Sequence, residues 1–102
     1  MTRRSKYYVA AESWTRRPAW AFEIPLRALH AKSEILLRCE TGPDSGAYTE
    51  VKVPAAFLET NPGELWIRED RKTISLFLSA EPQDRFTDKR GKAEVSFAQF
   101  AT

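Results

Sequence analysis

Apolar and polar residues alternate with a period of two through most of this chain, and no other feature narrows its fold as far. Trp20, Phe22 and Ile24 share one face of residues 20–24, and Ile35, Leu37 and Cys39 share one face of 33–40. Thr49, Val51 and Val53 follow in 48–53, then Leu65 with Ile67, then Ile74, Leu76, Leu78 and Ala80, and finally Val95 with Phe97. A weaker strand is read over 6–11. In an extended chain successive side chains point to opposite faces, so each run describes a strand with one face buried. Helical signals are short: residues 25–32 and 54–61 each begin with proline, which suits the first turn of a helix. Residues 81–92 read as a polar, solvated connector with one helical turn.

The sequence also echoes itself. Residues 22–38 align with 51–68: an alternating strand ending in Ile-Pro or Val-Pro, a short helix, then Glu, three apolar residues and Arg. The echo reads either as duplication of a strand–helix–strand unit around a pseudo-twofold or as coincidence in a β-rich chain. The expected fold is mainly β (α+β), a single domain over 1–102. It is a small antiparallel-rich barrel or sandwich of six to seven short strands with two short helices, because closure would hide apolar strand edges. A ferredoxin-like βαββαβ order is the alternative, although such short helices cover little of a sheet.

A length of 102 residues, 42% hydrophobic, supports one core. No apolar run approaches the roughly 18 residues of a membrane span. The basic start, with Arg3 and Arg4, precedes no apolar segment and is not read as a secretory signal. Cys39 is the sole cysteine and His30 the sole histidine, which excludes an internal disulfide and an intrachain Cys/His zinc site. These features give the expectation of a cytoplasmic protein with no cofactor and no metal. Charge is unevenly distributed: residues 1–32 hold seven Lys/Arg against two acids, whereas 33–70 hold three against eight. Either the chain has a basic and an acidic face or the segments neutralise one another within the fold or across a dimer.

Within the echo, Val53-Pro54, Phe57-Leu58, Pro62-Gly63-Glu64, and Leu65 with Ile67 form a pattern over 51–67. That stretch resembles the core of the SpoVT–AbrB swapped-hairpin transcription regulators. The resemblance implies a strand–helix–strand topology and dimeric DNA binding through basic residues. Since this is the acidic third of the chain, it bears on topology more than on function.

Residues 42–54 place Pro43-Asp44 ahead of Glu50-Val51-Lys52, the spacing of a metal-dependent nuclease signature. A hairpin over 42–46 that keeps core residues on one side pairs Cys39 with Thr49, Leu37 with Val51 and Ile35 with Val53. Arg38 then faces Glu50 while Asp44 stays at the turn, so the carboxylates do not converge and the motif reads as a turn and a strand. His30 reads as a surface or capping residue and Cys39 as a small buried one. Asp84 and Asp88 read as members of the solvated connector. No phosphate-binding glycine pattern is present.

Two features point to binding. Arg3, Arg4, Lys6, Arg16 and Arg17 are interleaved with Tyr7, Tyr8, Trp14 and Trp20. Cations that meet phosphate beside rings that stack bases are what a single nucleic-acid strand needs, with Trp14 or Trp20 doing the stacking. A hairpin over 69–72 further places Trp66 and Phe77 on an outer sheet face. Such a pair calls for a cover: the 6–14 segment, the C-terminal segment, a second copy of the chain or a small molecule. The reading is a non-catalytic binding module, with nucleic acid the most concrete partner and self-association or small-ligand binding the alternatives. An enzyme is the least favoured class.

Overall fold

The computed structural model describes residues 1–30 and 32–101. Six strands form two three-stranded sheets: β1 (Thr2–Ser5), β2 (Ala19–Pro25), β3 (Glu34–Glu40), β4 (Tyr48–Pro54), β5 (Trp66–Arg68) and β6 (Thr73–Ser79). The first sheet runs β1-β3-β4 and the second β2-β6-β5. All pairings are antiparallel except β1 with β3. The helical content is one α-helix, α1 (Ala55–Glu59), and three single 3₁₀ turns at Leu26–Ala28, Pro82–Asp84 and Ala98–Phe100. None of these is long and apolar enough to cross a membrane.

Alternation builds the core as expected. Trp20, Phe22 and Ile24 of β2 and Ile74, Leu76 and Leu78 of β6 meet Ile35, Leu37 and Cys39 of β3 and Val51 and Val53 of β4 in one buried cluster. Each such side chain, fully buried, contributes about 1.5–3 kcal/mol. The β3–β4 register matches the one that core packing requires: Cys39 with Thr49, Leu37 with Val51, Ile35 with Val53, and Arg38 with Glu50. Ile67 pairs with Ile74 across β5 and β6. Both echo segments fold as strand, short helix, strand. Pro25 and Pro54 precede their helices with nearly identical backbone angles, φ −60° and ψ 135° against φ −61° and ψ 137°.

Other expectations are corrected. The sheets do not close into a barrel, and two sheets with one five-residue α-helix are not the ferredoxin-like order either. The first strand lies at 2–5 rather than 6–11, because Thr2 to Ser5 pair with β3 from Leu36 to Cys39. Of the later residues only Tyr8 bridges, to Ala19. Residues 93–97 make no ladder. Asp88 donates its N–H to Val95 and Phe97 to Phe86, which still buries Phe97 completely. The 81–92 connector is not solvated throughout, since Phe86 and Asp88 are both buried.

Candidate nucleic-acid interface

The second sheet turns Ala21 and Glu23 of β2, Ser75 and Phe77 of β6, and Trp66 and Arg68 of β5 away from the core. Two loops frame this face. The first, residues 8–19, is closed by reciprocal hydrogen bonds between Tyr8 and Ala19 at 2.9 and 3.2 Å. Inside it the Val9 carbonyl accepts the N–H groups of Glu12 and Ser13, and the buried Ser13 hydroxyl accepts those of Thr15 and Arg17. With its backbone satisfied locally, the loop holds Trp14 against the sheet, edge-on to Phe77 with ring centroids 5.9 Å apart. Phe77 is therefore buried rather than exposed, covered by the 6–14 segment, while Trp14 remains 63% and Trp66 47% exposed.

The second loop is built around Asp88. Its carboxylate, completely buried, accepts N–H groups from Phe77 at 2.9 Å, Arg90 at 3.2 Å and Gly91 at 2.9 Å. Burial pushes this carboxyl above its ordinary range, and the three amides pull against that shift. Gly91 has no substitute here: a Cβ would lie 2.2 Å from the Glu64 carbonyl oxygen. The loop delivers Arg90 between the two exposed indoles, its guanidinium carbon 5.5 Å from the Trp14 ring centre and 5.6 Å from that of Trp66. Stacked cations of this kind contribute about 0.5–1 kcal/mol each at exposed sites. The Arg90 Nε is shielded from solvent without an acceptor, and the side chain makes no ion pair among the described residues.

Neighbouring cations differ in this respect. Arg68 and Arg71 both reach Glu23, at 3.2 and 3.5 Å, and Arg17 reaches Glu81 at 3.5 Å. Lys89 bridges Asp84 and Glu94 at 2.6 Å each. That bridge and the Ser79 hydroxyl hold the Asp84 carboxyl below the usual carboxylate range, and the Asp84 and Glu94 carboxylates raise Lys89 above its own. Asp84 and Asp88 thus serve separate hydrogen-bond networks. Beside the indoles lies a cleft of about 320 Å³ whose lining includes Tyr8, Glu23, Arg68, Ser75, Phe77 and Arg90.

The structure does not bring the basic and aromatic N-terminal residues together. Trp20 is in the core, 2% exposed, donating its indole N–H to the Glu40 carbonyl at 2.7 Å and stacked on Phe86, so it offers no face to a base. Arg3 and Arg4 lie on β1 in the first sheet. Arg4 shares the Tyr48 ring with Arg38, and the buried Arg3 Nε has no partner among the described residues. Lys6 borders a separate groove with Glu40 and Asp44. Tyr8, Trp14, Arg16 and Arg17 belong to the loop over the second sheet.

Elsewhere, Arg38 and Glu50 form the expected cross-strand ion pair at 3.7 Å, with Asp44 exposed in the turn. Among the described residues no group of three or more His, Cys, Asp and Glu side chains is placed to hold a metal ion. Arg90, Asp88 and Gly91 were not legible as site residues. The one available signal was Asp88 followed three residues later by Gly91, the end positions favoured in a type I turn. Compared with models of protein families, with curated proteins and with solved structures, the chain matches none.

Proposed function

We propose that the protein is a non-catalytic binding module that takes single-stranded nucleic acid on the outer face of its second sheet. The observation that carries this reading is the arrangement of two exposed indoles around one guanidinium that forms no ion pair among the described residues. Indoles are rarely left so open, because each withholds a large apolar area from burial. Fixed ring faces accept any base by stacking, and an unpaired guanidinium beside them meets the phosphate that links the bases. Arg16, exposed two residues beyond Trp14, adds a second cation. Bases within a duplex do not present their faces, which favours a single strand.

The test is fluorescence anisotropy of a labelled single-stranded oligonucleotide, with its duplex as control. Single-strand binding should weaken with salt, with a log–log slope of about −1.4 for two phosphate contacts. Replacing Trp14 or Trp66 with Ala should cost about 1–3 kcal/mol of affinity each. Absence of binding at low salt overturns the reading. A concentration-dependent dimer in sedimentation, lost in the Trp66→Ala protein, would then assign the face to a second copy of the chain.

A further inference from the structure

The cleft beside the indoles carries more chemistry than strand binding requires. Its walls include two rings, Tyr8 and Phe77, and its polar groups are unlike one another. Arg90 is a donor whose Nε has no acceptor among the described residues. Glu23 is an acceptor held rigidly in place: one carboxylate oxygen takes Arg68 at 3.2 Å and the Thr73 hydroxyl at 3.3 Å, and the other takes Arg71 at 3.5 Å. An ionised carboxylate has about four acceptor positions, so one remains unfilled. Ser75, the register partner of both Glu23 and Trp66, lines the same cleft. The cleft joins ring and aliphatic walls to polar groups, and about 320 Å³ lies at the small end of the range for ligand sites.

We propose that this cleft takes one base turned out of the bound strand and selects a base whose edge carries an amino group, with Glu23 accepting from the amine and Ser75 completing the contact. The inference rests on the single-strand reading above and adds base preference to it. The exposed Tyr8 ring gives a flat base a face to lie on. Its amino hydrogens meet the open acceptor position of Glu23, whereas a carbonyl oxygen at the same place meets a carboxylate and is repelled. Arg90 remains at the other end for the phosphate. Cytosine, adenine and guanine carry such an amine, and thymine and uracil do not.

Thymine and 5-methylcytosine isolate the effect of the base edge, since they share backbone, methyl group and ring shape and differ in the 4-substituent and the N3 proton. The experiment titrates the full-length protein with labelled oligomers of each, equal in length, at one salt concentration. The 5-methylcytosine strand should bind about tenfold more tightly, the scale of a single well-placed base contact. The Glu23→Gln protein should lose that preference, because an amide offers both a donor and an acceptor. Ser75→Ala, which leaves every ion pair of Glu23 intact, should reduce it. Equal affinity for the two strands, or a preference for thymine, overturns the base preference while leaving strand binding standing. A preference that survives Glu23→Gln removes Glu23 from the assignment. Failure of both strands to bind at low salt overturns the strand-binding reading and this inference with it.

Discussion

Phe86 illustrates how single residues in this chain are held in conformations that their own sequence does not favour. It has φ 67°, a region that costs a side chain with a Cβ about 1–2 kcal/mol. Burying the ring and stacking it on Trp20 at 5.3 Å outweighs that cost, since aromatic pairs add about 0.5–1.5 kcal/mol beyond burial. Phe86→Ala should therefore destabilise the fold by about 3 kcal/mol or more, read as a lower urea midpoint. Cys39 makes the opposite point, for its place in an alternating strand announced its burial. Desolvation pushes the thiol up to about 12, so essentially no thiolate exists at pH 8. A thiol reagent should leave native Cys39 unmodified and react only after denaturant is added; fast labelling of the folded protein would contradict its burial. The tryptophans were less legible. Trp14 and Trp20 both lie near arginines, and only the closing of the 8–19 loop sends one outward and the other into the core.

Strand registers were readable because a one-residue slip would turn every core side chain of β3 or β4 to solvent. The 86–97 loop was not, because its order comes from a buried carboxylate gathering distant amides rather than from any periodic pattern. Asp88→Ala leaves the N–H groups of Phe77, Arg90 and Gly91 without their acceptor. It should cost more than Asp88→Asn, whose remaining oxygen still accepts two of them. Each stranded buried donor costs about 1–3 kcal/mol, so the two urea midpoints should separate clearly. The ion bridge in the same loop predicts a pH dependence. Asp84 titrates below its ordinary value when folded, so its contribution is complete above about pH 4 and is lost as pH falls through the lowered value. Lys89 titrates above its ordinary value, so its contribution is complete below about pH 10 and is lost at higher pH. The stability difference between the parent and Lys89→Ala should be constant near neutrality and vanish in acid. Asp88, whose folded carboxyl is raised and so opposes this trend, is common to both proteins and cancels in the comparison.

At the scale of the molecule, the cations around the second sheet are paired one by one. Glu23 binds Arg68 and Arg71, and Arg17 binds Glu81. That pairing is what makes Arg90 conspicuous among the cations of the second sheet. The mainly β class and the shared core followed from alternation. The division into two sheets, and β1 lying parallel to β3, depended on long-range pairing that local pattern does not encode. The cover over Phe77 was foreseen as one of several choices, yet Arg90 between the two indoles was not, because its position depends on Asp88 and Gly91 acting together. The three tryptophans offer a direct test of the whole account, since each gives a separate indole N–H signal in a nitrogen-15 NMR spectrum. Titrated with a short single-stranded oligonucleotide, the Trp14 and Trp66 signals should shift together while that of Trp20, tied to the Glu40 carbonyl, stays still. Shifts confined to amides of the first sheet around Arg4, Arg38 and Tyr48, with both exposed indoles unmoved, would contradict the placement of the binding face.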